Sequence, residues 1–170
     1  NLEYDHADIF PDLAAIERQF HHLIRTVPGE GRLVVNGADK NLERVLAMGC
    51  WSAVSYFDRA SDWQATPQES GFEVRRNGRV EGVAKLSLAG AHNRSNALAA
   101  IAAAEHVGVA PATAMAALAS FAGIKRRLEL RGRVRDVAVY DDFAHHPTAI
   151  AVTIAALRES GAGRILAVLE

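Results

Sequence analysis

The sequence predicts an α/β fold: a parallel sheet with helices, a small antiparallel hairpin sheet set among them, and then a βαβ unit that opens a second domain. Three observations carry this. Helix-period apolar stripes alternate with short continuous apolar runs such as RLVVN (32–36), the kind buried on both faces of a parallel sheet. An Asn-Gly pair at 77–78 separates two strand-like runs. Near Arg131 the strand–helix–strand pattern starts afresh.

In chain order, PDLAAIERQFHHLIRTV places Leu13, Ile16, Phe20, Leu23, Ile24 and Val27 on one helical stripe, with Asp12 near its cap and Pro28-Gly29 ending it. RLVVN follows as a strand, NLERVLAMG as a shorter helix, and a second strand lies near Val54–Phe57. GFEVRR and RVEGVAKLSL then form two strands about a type I′ turn, because both central residues of such a turn need positive φ and Asn77-Gly78 supplies it. Two Ala-rich helices come next, one over 93–107 closed by Gly108 and one opened by Pro111 and reaching about Phe121. VAVYDD, PTAIAVTIAALRES and RILAVLE read as strand, helix and strand, with a domain boundary near 130–133 in the arginine-rich RRLELRGR.

Composition narrows the function. Lys plus Arg number 19 against 20 Asp plus Glu, so no net field draws the chain to nucleic acid or an anionic membrane. The longest apolar runs, such as ALAAIAAA, fall far short of the roughly 20 residues of a membrane span. The single cysteine, Cys50, suits a reducing cytoplasm. Asn1 stands where an initiator Met would, and RILAVLE breaks off inside an apolar run, so an excised portion of a longer enzyme is expected.

Four clusters carry chemistry. GAHNRSNALAA opens its helix with His92, Asn93 and Asn96. Asn93 or its neighbour suits an N-cap, but Asn96 falls one turn later on the same side, and two amides on one edge suit a planar ligand such as adenine. EYDHAD packs acids around His6, a structural histidine or a divalent-metal ligand with Asp5 and Asp8 fixing its tautomer. IKRRLELRGR is a solvated linker or a source of phosphate-binding arginine. YDDFAHHP (140–147) sits after an apolar strand and before a helix opened by Pro147, the position where open α/β sheets bind ligands. Its Asp141, Asp142, His145 and His146 suit metal ligation, ribose and phosphate binding, or a simple helix cap.

Taken in order, NLEYDHAD, GAHNRSNALAA, RRLELRG and VYDDFAHHPTAI resemble the Mur ligase family of ATP-dependent amide-forming enzymes, over essentially the whole chain. DDxxHHPT is similar to its muramate-using members. The resemblance implies the second half of the central ATPase domain at 1–130 and the first βαβ unit of a Rossmann-like C-terminal domain at 131–170. It implies ATP and Mg2+, with UDP-N-acetylmuramate as donor, its carboxylate activated as an acyl phosphate that an amine then attacks. The acceptor it implies is the murein tripeptide L-alanyl-γ-D-glutamyl-meso-diaminopimelate, with single L-alanine as the rival. By the same resemblance His6 binds magnesium, and Asn93 and Asn96, next to His92, face adenine. Arg127 reaches the ATP phosphates, Asp141 with Asp142 holds the ribose, and His145 and His146 lie beside the reaction centre. The family's glycine-rich phosphate loop ending GK[ST] occurs nowhere in the sequence, so this chain alone is expected to be inactive. A non-catalytic nucleotide-binding module and a metal-dependent hydrolase built on Asp141, Asp142, His145 and His146 are the competing classes.

Overall fold

The computed structural model describes residues 1–161 and 163–169. After an irregular N-terminal segment, helix α1 (Leu13–Thr26) leads to strand β1 (Arg32–Asn36), helix α2 (Lys40–Ala47) and strand β2 (Ala53–Phe57). Strands β3 (Trp63–Gln68), β4 (Gly71–Arg76) and β5 (Arg79–Ala84) precede helices α3 (Ala91–His106) and α4 (Pro111–Leu118). Strands β6 (Glu129–Val134) and β7 (Val137–Asp141) and helix α5 (Pro147–Glu159) complete the described elements.

Local chemistry sets the boundaries. The Asp12 carboxylate caps α1 by accepting from the Ala15 amide at 2.7 Å, and Asp39 caps α2 by accepting from Asn41 and Leu42. The C-terminus of α3 closes as a Schellman motif: the Gly108 amide donates to Glu105 O and the Val109 amide to Ala104 O, with Gly108 at φ 88°. Asn77 and Gly78, at φ 50° and 76°, make the expected two-residue turn between β4 and β5.

Five strands form one sheet in sequence order, the expected antiparallel hairpin being continuous with the parallel strands. β1 and β2 run parallel over five residue pairs, β3, β4 and β5 are antiparallel, and one parallel pair, Phe57 with Trp63, joins the two halves. The sequence offered no strand at 63–68, where Pro67 and polar residues break the apolar pattern.

Side chains on β1 alternate between faces. Val34 packs with α3 and α4 residues in a core of Trp63, Phe72, Val74, Leu98, Ile101 and Met115, whereas Leu33 packs with Leu2, Ile16, Ile24 and Val45 of the N-terminal segment, α1 and α2. The parallel half is thus covered on both faces. β6 and β7 make a second, two-stranded antiparallel sheet. β6 takes up Glu129–Val134, so the second half of RRLELRGR is paired backbone whose side chains are largely exposed, and residues 126–128 form the turn before it.

The closing strand of the βαβ unit is not formed. Residues 165–169 of RILAVLE have no strand pairing and leave Leu166 and Val168 exposed, while Glu170 lies outside the described residues. A strand exists only where a ladder satisfies its amides and carbonyls, and β7 is paired with β6 alone. α5 instead docks on α3, where Ala156 is fully buried.

Candidate functional site

The N-terminal segment, the start of α3 and the start of α5 surround an open cleft of about 340 Å³, lined in part by Glu3, Asp5, His92, His146 and Thr148. Two of the nine sequence-predicted residues, His92 and His146, therefore share one wall system, and Asp5 is the acid neighbouring a third, His6.

The approach of the two helices depends on Gly90. It is the N-cap of α3, at φ 100°, and a Cβ there would lie 2.8 Å from the Ala156 methyl and 2.8 Å from the His92 ring. Only glycine accepts both the positive φ and the contact. No side chain caps α3, which corrects the expectation for Asn93. Asn93 lies inside the first turn and its Nδ2 donates back to Ala89 O at 2.7 Å, fixing the 89–93 turn. Asn96 is exposed one turn on, and it does not line the cleft.

His92 is half-buried, and burial pushes its imidazole pKa below the ordinary value of 6.5. Arg127 and Arg94 push in the same direction, against the Asp142 and Glu159 carboxylates. The same charges show that Arg127 and Asp142 lie within electrostatic reach of His92 although neither lines the cleft.

Residues 124–129 and 141–146 are knitted together. The Phe143 amide donates to Arg126 O at 2.9 Å, and the Arg126 guanidinium stands 4.9 Å above the Phe143 ring and 3.7 Å from the Asp141 carboxylate. Arg127 is exposed, its guanidinium 5.9 Å from the same ring. Asp142 organises the loop: its carboxylate accepts from the Leu128 amide at 2.7 Å, the Ala144 amide at 2.8 Å and the Thr153 hydroxyl at 3.4 Å. The first of these bonds holds Leu128 at φ 47°, a left-handed conformation costly for an apolar side chain.

At the tip, His145 Nδ1 lies 2.9 Å from Phe143 O, with its ring edge-on to Phe143. His146 reaches instead to the first lobe: Nε2 is 3.3 Å from Tyr4 O and Nδ1 is 3.4 Å from Glu3 Oε2. His6, at φ 53°, is exposed, and the Asp5 carboxylate sits 3.9 Å from its ring. The His6 amide donates to Asp5 and holds that carboxyl below the usual carboxylate range, helped by the charges of His6, His145 and His146.

These partners remove the four-ligand centre that a hydrolase reading needs. Asp141 faces Arg126, Asp142 holds backbone amides, and the two histidines point to different carbonyls. Among the described residues no group of three His, Cys, Asp or Glu could hold a metal ion. His6 with Asp5 offers at most two ligands, which suits a hydrated Mg2+ held also by other groups and not a closed protein cage.

Sequence reasoning missed the residues that join the lobes. Arg94 Nη1 contacts Glu159 Oε1 at 2.5 Å, and the Thr148 hydroxyl donates to Glu3 at 2.7 Å. Their partners lie 65 and 145 positions away, beyond any spacing rule.

The fold and the order of these motifs define a class of α/β protein, and comparison with known proteins says which: residues 1–104 match the Mur ligase middle domain and residues 126–170 the Mur ligase, glutamate ligase domain, so the chain belongs to the Mur ligase family. Across its whole length it is 57% identical to the UDP-N-acetylmuramate–L-alanyl-γ-D-glutamyl-meso-2,6-diaminoheptandioate ligase of Escherichia coli strain K12, and it covers 38% of that relative. A UDP-N-acetylmuramate–L-alanine ligase of Caldicellulosiruptor bescii is 36% identical over the whole chain, which covers 39% of it. The crystal structure of the Neisseria meningitides ligase for the same tripeptide superposes with a TM-score of 0.69 at 51% identity, over 73% of this chain and 39% of that one. The chain thus spans a little over a third of the length of the relatives it matches. Among the described residues no helix is long and apolar enough to cross a membrane.

Proposed function

We propose that the chain is part of a cytoplasmic ATP-dependent ligase that joins L-alanyl-γ-D-glutamyl-meso-diaminopimelate to UDP-N-acetylmuramate through an acyl phosphate, in the reuse of peptidoglycan fragments. The observation that carries this reading is the 57% identity, over the whole of this chain, to a protein of that name, against 36% for the alanine-adding relative. Residues 1–130 belong to the ATP-binding domain and 131–170 open the C-terminal domain. ATP supplies the phosphoryl group that activates the muramate carboxylate.

The chain's own residues bind and orient. The exposed amide of Asn96 offers a donor and an acceptor to the adenine edge, with His92 and Asn93 shaping the turn beneath. Asp141 and Asp142 serve the ribose side, Asp142 chiefly by holding the loop in place. Arg127, exposed at the junction, presents a planar fork of donors to phosphate oxygens. His146 lines the cleft and His145 lies next to it in the chain, and this pair serves proton transfer to or from the attacking amine. His6, with Asp5, supplies this chain's share of a magnesium site. Among these residues His146 reaches across to the first lobe, and closing the lobes would bring the others to the site and keep water from the activated carboxylate.

The test is ADP release by the intact enzyme with UDP-N-acetylmuramate and either the tripeptide or L-alanine. Turnover with the tripeptide is expected. Turnover with L-alanine alone would give the chain to the alanine-adding ligases. In the same assay Arg127→Ala should lower kcat about a hundredfold with the fold intact, as removal of a charge-stabilising donor does.

A further inference from the structure

We propose that Glu3 is a positioning residue for this reaction, gripping the first turn of α5 and holding His146 at the cleft. What the site does rests on the ligase reading; what Glu3 does rests on geometry. α5 begins without a cap of its own: its N-cap residue, His146, makes no side-chain capping bond, and Pro147 at the first helical position has no N–H. The start of the helix is held from outside. A single carboxylate oxygen, Glu3 Oε2, accepts from the Thr148 hydroxyl at 2.7 Å and lies 3.4 Å from His146 Nδ1. The other ring nitrogen of His146 faces Tyr4 O at 3.3 Å, one residue along the same segment. A neutral ring donates to one of these two oxygens, of residue 3 or residue 4, and a protonated ring donates to both.

That segment is itself fixed. Leu2 is buried in the α1–α2 core, its amide donates to Asp39 at 2.7 Å, and its carbonyl accepts from Asn41 at 2.6 Å. Glu3 therefore projects from an anchored backbone, and its negative charge also favours the N-terminal end of α5. The far end of α5 is tied separately, by Arg94 and Glu159. Of the two ties, only the one through Glu3 lies beside His146.

The test uses the intact enzyme with Glu3→Ala, Thr148→Val and Thr148→Ser, read by hydrogen exchange of amides 149–152 and by kcat and KM. Glu3→Ala and Thr148→Val should each speed exchange and lower kcat about five- to tenfold, the worth of one lost hydrogen bond, with KM for ATP unchanged. Thr148→Ser keeps the hydroxyl and should match the wild type in both readouts. The double variant Glu3→Ala/Thr148→Val should be no worse than the more affected single variant, because both remove the same contact. Wild-type exchange in both single variants, or faster exchange with unchanged kcat, would overturn the proposal. A wild-type enzyme inactive with both amines would sink the ligase reading alone, since the exchange measurement reads the grip without turnover.

Discussion

Residues 1–118 and residues 129–159 hold their shape by different means. The first lobe buries two apolar clusters on opposite faces of a sheet, with Phe72, Val74, Leu98 and Ile101 sealed to 1% exposure or less. In the second lobe Ala156 is the one buried hydrophobe among the described residues, and Leu130, Val134, Val137 and Val139 of the hairpin are all exposed. The second lobe keeps its place through specific polar ties and one close helix contact: Glu3 with Thr148, Arg94 with Glu159, and Gly90 against Ala156. Burial is strong and undirected, whereas hydrogen bonds and ion pairs are individually weak and geometrically exacting. Under the ligase function proposed above, a site assembled between the two lobes is well served by that division. One lobe is a rigid base, and the other can be released by breaking a few contacts worth about 1 kcal/mol each.

Three substitutions sharpen or break this contrast. Leu98→Ala, in the sealed core, should cost about 3 kcal/mol, read as an earlier urea transition in the fluorescence of buried Trp63. A cost under about 1 kcal/mol would mean that the first lobe is not held by burial. Ala156→Leu drives a larger side chain into Gly90 and His92 and should cost about 1–2 kcal/mol of docking. Its expected sign is faster protease nicking in the 119–128 connection with the Trp63 transition unmoved, and a shift of both would join the lobes into one cooperative unit. The smallest effect is a pH dependence at the seam. Because burial lowers the His92 pKa in the folded state, the unfolded chain takes up the proton first as the pH falls through 6.5. The stability tied to a neutral His92 is therefore complete above that pH and is lost on the way down to its lowered folded value. Between pH 7 and pH 5 the melting midpoint of His92→Asn should fall less steeply than that of the wild type; parallel curves would remove His92 from the seam.

Much of the first lobe was legible because its signals are local. Asp12 before an apolar stripe, Asn77-Gly78 between two runs, Gly108 after an Ala-rich helix and, in the second lobe, Pro147 opening α5 each act within a few residues, and each appears where expected. The failures share a different origin. β6 was hidden because its charged residues read as linker, and its turn to β7 is Arg135-Asp136, which takes φ of 48° and 64° without the Asn-Gly signature. RILAVLE was read as a strand from its apolar run, yet a run of that kind needs a neighbour that sequence cannot supply. At the site, His92 and His146 line one cleft, while Asn93 turned from cap acceptor to donor because it lies inside the first turn. Asp142, expected on the ligand side, is largely committed to backbone amides. The ties through Glu3 and Arg94 left no trace in spacing, since contacts between lobes follow from docking and not from periodicity.

The lone Phe57–Trp63 pair has a mechanical meaning. Elsewhere in this sheet neighbouring strands share five or six residue pairs, so the strand-to-strand path from the parallel half to the antiparallel half narrows to a single rung, backed by α3 packed across both. Pulled apart in a force experiment, the sheet would tear there first, and the hairpins would come away as one flap while Arg32 to Phe57 stayed zipped.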